Sequence, residues 1–543
     1  MNLRHLLCLV SLFLFSCSSK KQVDLIIHKA RIYSVNEKFD LANTMVVHQG
    51  RLLAIGGDSL LQQYSSINTM DMKGAFIYPG FIDAHCHFTG YAMDAYKLKL
   101  FGTKSFNEIV KKVVAFAHSN DRTWLEGTGW DQNDWVDKRF PMKDTLDQLF
   151  PDKPVFLLRV DGHAVLLNQK ALDLCGITET TTISGGELIR KDGKLTGILT
   201  DNAINLVRPF LPALTAKEAM HTIVSAQREF LELGLTSIVE CGVKKEVIDW
   251  MKQIYQNKQL QLRSTFMLNA DSNCMNAYLT KAPLQTDDLH VAGFKVYADG
   301  SLGSRGACLL KEYSDRPHHM GAMLTSNMQL KHIIADVIQS PYQLCVHAIG
   351  DSANRNVLAL YANALKSSND RRWRIEHAQV VHTSDMHLFG DYGIIPSVQP
   401  THATSDMYWA EDRLGEDRMN EAYAYKKLLT QNKWMPLGTD FPVEHLNPIY
   451  TFYAAVFRKD KTNFPEAGFQ MENALTREEA LRGMTIWAAK SVFEEKEKGS
   501  LEPGKLADFV ILDTDLMHAE ASRIYNAKVL ATYINGIKVY GQK

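Results

Sequence analysis

The chemistry of this sequence starts with two imidazoles one residue apart. In Pro79-Gly80-Phe81-Ile82-Asp83-Ala84-His85-Cys86-His87, the apolar lead-in Ala75-Phe76-Ile77-Tyr78 has the character of a strand. Alternate residues of a strand face the same way, so His85 and His87 point at one spot while Cys86 turns aside. Neutral imidazole is the commonest protein ligand for zinc and similar ions. One His-x-His pair is a modest signal, but further ligand-type residues follow downstream. They are Lys295 and Asp299, His347 in Val346-His347-Ala348-Ile349-Gly350-Asp351, His377 in Arg374-Ile375-Glu376-His377-Ala378, and Asp440 in Leu437-Gly438-Thr439-Asp440-Phe441-Pro442. Taken singly, each has a structural alternative: a hydrogen-bonded histidine, a salt-bridge lysine, an aspartate capping a helix.

The elements that must position these residues can be counted. Strand-like runs occur at Phe76–Asp83, Ser237–Glu240, Arg263–Leu268, Gly293–Tyr297, Gln343–His347, Arg374–His377, Ile394–Val398 and Met435–Thr439, with helical stretches such as Ala216–Leu233 and Ala353–Lys366 between most of them. Eight strands in βα alternation predict a TIM-like (β/α)8 barrel, with an open doubly wound sheet as the alternative. In a barrel the ligand-type residues fall at the C-terminal ends of strands, where active sites lie. Two surplus strand runs, Trp124–Gly127 and Val155–Val160, predict an α+β insertion over residues 101–212 that lids the barrel, whose own residues are 76–100 and 213–490. Both ends of the chain are β-rich, and Asn535-Gly536 sits where a type I′ hairpin turn needs it. Residues 23–75 and 491–543 therefore predict one small β-sandwich.

Composition narrows the function classes. The chain has 543 residues, is 45% hydrophobic and carries a formal charge of −1 from 60 basic and 61 acidic residues. It is long enough for several domains, and the lack of a basic tract argues against nucleic acid as a partner. The start has the form of a secretory signal: Arg4 and His5, an apolar run from Leu6 to Phe15, then Ser16-Cys17-Ser18-Ser19. Leu14-Phe15-Ser16-Cys17 resembles a bacterial lipobox, which predicts a signal over residues 1–17, acylation of Cys17 and a body tethered to the cell envelope, periplasmic or surface-facing. The eight scattered cysteines do not suggest a disulfide framework.

Together these features resemble the amidohydrolase superfamily, and within it the amidohydrolase-3 branch that includes N-substituted formamide deformylase-like proteins. The resemblance spans nearly everything after the signal. It is carried by Gly80 to His87, by Phe294-Lys295-Val296-Tyr297-Ala298-Asp299-Gly300-Ser301-Leu302-Gly303-Ser304, by His347 and His377, by Gly438-Thr439-Asp440, and by Gly499 to Asp508. In the insertion it is carried by Gly129-Trp130-Asp131 and Arg159-Val160-Asp161-Gly162-His163. The resemblance implies hydrolysis of an amide-type C–N bond assisted by one or two divalent ions, zinc foremost, held by His85, His87, His347, His377 and Asp440. Asp440 would take a proton from water and deliver it to the leaving amine, with His347 or His377 free to meet the carbonyl oxygen if one ion is present. Lys295 matches the lysine that many relatives carboxylate to bridge two metals. His163, Trp130, Asp299 and Arg305 are candidate substrate contacts, as are the aromatics Tyr408 and Trp409. Asp351 and Glu376 are candidates for orienting ligand histidines. The expected partner is a small amide, with cyclic imides, carbamates and esters within the same chemistry, and a homodimer is compatible with the sequence. The rival reading is a lipid-anchored binding protein without turnover.

Overall fold

The computed structural model describes residues 20–119 and 121–541. Cys17 and the signal segment lie outside the described residues. Seven parallel strands form one sheet: β1 (Phe81–Cys86), β2 (Leu235–Val243), β3 (Arg263–Asn269), β4 (Leu289–Tyr297), β5 (Gln343–Ala348), β6 (Arg374–His377) and β7 (Ile395–Ser397). Nearly every residue of these strands is buried, as both faces of an α/β sheet are covered. The expected eighth strand, Met435–Thr439, is a bridging segment rather than a ladder. Leu437 forms a single parallel bridge with Val398. Gly438 N–H donates to Val398 O (3.1 Å), Ala84 N–H to Leu437 O (3.2 Å) and Asp440 N–H to His85 O (2.8 Å), which links β7 back to β1 and nearly closes the barrel. Pro436 cannot donate to a ladder, and Gly438 passes so close to β1 that a Cβ there would stand 2.5 Å from His85 N.

Helices cover the outside. The one over Ala216–Glu232 (α1) starts with a capping box, in which Thr215 accepts from the N–H of Glu218 and the Glu218 side chain returns the bond. Another, Asp351–Leu365 (α2), follows β5 directly.

The first predicted barrel strand, Phe76–Asp83, divides in two. Phe76–Pro79 belongs to the terminal sheet, pairing antiparallel with Phe509–Leu512 and parallel with Arg31–Tyr33, and the barrel strand begins only at Phe81. The intervening Gly80 packs so tightly on Thr236 that a Cβ would lie 2.3 Å from its side chain. The sandwich joins this six-stranded sheet, built from both ends of the chain, to a four-stranded sheet ordered Arg51–Gly56, Thr44–His48, Leu25–His28, Thr69–Asp71. Leu25, Ile27, Ile32, Val47, Phe509 and Ile511 are among the residues that form its core. Asn535 and Gly536 both take positive φ (53° and 70°), as the type I′ turn requires.

Between β1 and β2 the chain forms a separate six-stranded sheet, ordered Leu98–Lys99, Leu125–Trp130, Val155–Arg159, Ala164–Leu167, Lys194–Asp201, Gly186–Lys191. Neighbouring residues feed different cores, Phe156 and Val165 one, Leu157 and Leu166 the other, as alternation along a strand dictates. Among the described residues, no helix is long and apolar enough to cross a membrane.

Candidate metal centre

The strand ends converge on the carboxylate of Asp440. His87 Nε2 lies 3.1 Å and His85 Nε2 3.3 Å from its Oδ1, and His402 Nε2 lies 3.2 Å from its Oδ2. Asp440 has φ +61° and His377 φ +73°, left-handed conformations that non-glycine residues adopt at a cost and that cluster at functional sites.

Three of the imidazoles, those of His85, His377 and His402, are fixed from behind. His85 Nδ1 meets Glu376 Oε2 at 2.5 Å, so Nε2 is the nitrogen left to face Asp440. Glu376 is itself held by Arg374 through Nε (2.7 Å) and Nη2 (2.9 Å). Arg374 also reaches Ala84 O (2.7 Å) and Ser397 Oγ (2.9 Å), tying β6 to β1 and β7. Carboxylate support of this kind fixes ring orientation and tautomer in metal sites. His377 Nδ1 pairs with Gln399 Oε1 at 2.7 Å, and its ring stands 4.9 Å from that of His85 and 4.5 Å from that of His347. His85, His377 and Asp440 offer three ligand atoms within 4.8 Å of one another. His402 lies in α3 (Pro400–Asp406) and is gripped on its other nitrogen by Glu444 Oε1 at 3.2 Å.

The electrostatics favour ligation. Burial pushes the His347 imidazole well below its ordinary range, helped by the nearby His377, His163 and Lys295. Burial does the same for His377, against the pull of Asp440, and lowers His87. Burial alone would raise Asp440, but the imidazoles around it, His402 hydrogen-bonded to Oδ2 and His85 and His87 beside Oδ1, hold its carboxyl well below the carboxylate range. His402, despite burial, is raised to about 10 by Asp440 and Glu444. At the centre of the site, His85 Nε2, Asp440 Oδ1 and Lys295 Nζ are buried without a hydrogen-bond partner. The His85–Asp440 separation is short, but the pair lacks hydrogen-bond alignment. Lys295 Nζ stands 4.9 Å from the centroid of the Tyr297 ring.

A cleft of about 2020 Å³ opens over these residues, lined by the barrel ends and by Asp131, His163 and Asp201 of the insertion. His163 therefore lies where a substrate contact is expected, its ring 5.3 Å from that of His347. Tyr408 and Trp409 also line the cleft. Three other expected contacts do not. Trp130 is fully buried in the insertion, donating Nε1–H to Leu157 O (2.7 Å) and packing on Trp135. Strand alternation turns its neighbours Gly129 and Asp131, not Trp130, to the cleft. Asp299 is fully buried and orders loops, accepting from Ile349 N (3.0 Å), Gly350 N (2.8 Å) and Cys308 N (2.8 Å). Arg305 pairs with Asp315 and lines a separate cavity of about 220 Å³ beside Glu187 and Arg316. Asp351 likewise accepts from Leu310 N (2.8 Å) and orients no histidine, whereas Glu376 does. Sequence reasoning missed His402, Gln399, Glu444 and Asp201. The spacing of Asp440 and Glu444 and the run Gln399-Pro400-Thr401-His402 after β7 were the available signals.

Residues 68–540 match the model of an amidohydrolase family. Protein LONG AFTER FAR-RED 3 of Arabidopsis thaliana is 32% identical over 537 residues, 95% of this chain and 91% of that one. N-substituted formamide deformylase of Arthrobacter pascens is 24% identical, covering 95% of this chain and 98% of its own. The crystal structure of an uncharacterized metal-dependent hydrolase from Pyrococcus horikoshii OT3 superposes with a TM-score of 0.74 at 25% identity, covering 91% of this chain and 98% of that chain.

Proposed function

The chain belongs to the amidohydrolase family, and on that footing we propose that it hydrolyses a non-peptide C–N bond of a small amide, with N-acyl and N-formyl amines as the substrate class. The observation that carries this reading is the set of buried atoms left without partners around Asp440 and its three imidazoles. A buried polar group without a partner costs about 1–3 kcal/mol, more when charged. An ion held by His85, His87, His347, His377 and Asp440 would satisfy His85 Nε2 and Asp440 Oδ1 together, and this nitrogen and oxygen donor set suits zinc. Lys295 fits as a carbamate, formed when its neutral amine adds carbon dioxide and loses a proton, which turns a stranded cation into an anionic ligand. Once bound, a divalent ion would supply Lewis acidity and bring the pKa of water down to about 7.

The remaining steps fall to the chain. Asp440 takes the proton of the attacking water and returns it to the departing amine. His402, on the other carboxylate oxygen, keeps Asp440 turned toward His85 and His87. Elemental analysis of protein lacking residues 1–17, followed by assay on N-alkyl formamides and acetamides, tests the reading. It expects one or two ions per chain and turnover lost on chelation. No retained ion after reconstitution with bicarbonate, together with no turnover, would overturn it. The proposal extends to location: Cys17 is acylated and tethers the hydrolase to the cell envelope, so Cys17→Ala should release the protein from membranes.

A further inference from the structure

The insertion carries a histidine–carboxylate pair that the barrel does not need for ligation. His163 precedes the strand Ala164–Leu167, and Asp201 ends the strand Lys194–Asp201. The two strands pair antiparallel, and Asp201 N–H donates to His163 O at 2.9 Å. Their side chains meet as well, His163 Nδ1 lying 2.8 Å from Asp201 Oδ1. Both residues line the cleft.

Three features show that this pair is held in place. Asp201 takes φ +50° and ψ −126°, a conformation that L residues rarely adopt and that persists only where the surroundings enforce it. The loop after β4 meets its carboxylate with glycines: a Cβ on Gly300 would lie 2.3 Å from Oδ1, and one on Gly306 2.5 Å from Oδ2. Asp161 fixes the backbone from the other side, its Oδ1 accepting His163 N–H at 3.0 Å while its Oδ2 serves Arg159 and Ser301. With Nδ1 committed to Asp201, Nε2 is the nitrogen left for a ligand, on a ring 5.3 Å from that of His347.

We propose that His163 contacts the substrate by hydrogen-bonding the scissile amide through Nε2, and that Asp201 is its positioning residue. On this view the insertion completes a site that the barrel only begins. The inference rests on the proposed hydrolase function, but its test does not depend on turnover. Acetohydroxamate, a metal-binding amide mimic, is titrated into the zinc-loaded protein, and zinc content and melting temperature are measured for each variant. His163→Ala should weaken binding at least tenfold and Asp201→Asn about fivefold, with zinc content unchanged. His163→Gln, which can donate or accept near the same point, should recover part of the loss, which a purely structural role would not allow. In parallel, kcat/KM for the best amide should fall with the affinities. Unchanged affinity in both His163→Ala and Asp201→Asn overturns the inference, as does absence of hydroxamate binding by the zinc-loaded wild type. Weakened binding in a protein that hydrolyses no amide would keep His163 as a ligand contact positioned by Asp201 and remove the proposed reaction.

Discussion

The two ends of the barrel both bury cations, and they treat them in opposite ways. At the start of β3, Arg263 is 1% exposed and every arm of its guanidinium is engaged. Nε meets Asp508 Oδ2 (2.9 Å), Nη1 meets Asp287 O and Asp288 Oδ1 (2.7 Å each), and Nη2 meets Asn535 Oδ1 (2.6 Å). These bonds tie the barrel to the terminal sandwich. On the neighbouring strand β4, Lys295 is 2% exposed and its ammonium has no hydrogen-bond partner. Buried polar groups in native proteins are overwhelmingly paired, so a stranded one marks a place where stability has been yielded to something else. The Arg263 guanidinium is satisfied by folding alone, whereas the Lys295 ammonium is not.

Substitutions can break or sharpen that contrast. The largest effect belongs to Asp440→Asn, which should lower kcat by about 10²–10⁴-fold while the melting temperature holds, as read by steady-state assay beside a thermal melt. Arg263→Met comes next: stranding the buried Asp508 should cost about 3–5 kcal/mol in urea unfolding, with zinc content per folded chain preserved. The third effect is on acid stability at the Arg263 end. Burial works against ionisation of Glu494, but Lys498 (2.8 Å) and His290 (3.6 Å) hold its carboxyl down at about 2. A depressed carboxyl contributes stability above its unfolded value of about 4.5 and loses it as pH falls toward 2, on the order of 3 kcal/mol. Glu494→Gln should therefore flatten the dependence of unfolding free energy on pH between about 5 and 2. The smallest stability effect is expected for Lys295→Met, because no hydrogen bond is lost. The metal-free protein should melt no lower than wild type, and a sharp fall in melting temperature would show that the Lys295 ammonium stabilises the fold. Its zinc content should nevertheless drop.

The difference between the two ends also explains what could be read from the sequence. The histidines and Asp440 stood out because β-strands translate spacing into direction, so His85 and His87 point together and strand ends share a rim. His402 was hidden because it sits on α3, after the three-residue strand β7, where no alternation points to it. Trp130 and Asp299, expected as substrate contacts, lie outside the cleft lining for the opposite reason. Both stand in the right stretches, but one residue of register on a strand separates the cleft from the core, and a buried Asp can serve backbone N–H groups as well as a substrate. The division of Phe76–Asp83 leaves the first barrel strand in place, because Gly80 separates two strands that each have their own partners.

The sandwich sheet that joins Phe76–Pro79 to Phe509–Leu512 sets a timetable for biogenesis. At about 5–20 residues per second, roughly 20–90 s of synthesis separates Phe76 from Leu512. Throughout that interval the edge that Phe76–Pro79 presents to Phe509–Leu512 has no partner from its own chain. Long-range strand pairing of this kind is slow and prone to aggregation. The first strands made are thus among the last to be completed, and a nascent chain stalled before Leu512 would carry an open sheet edge for chaperones to cover.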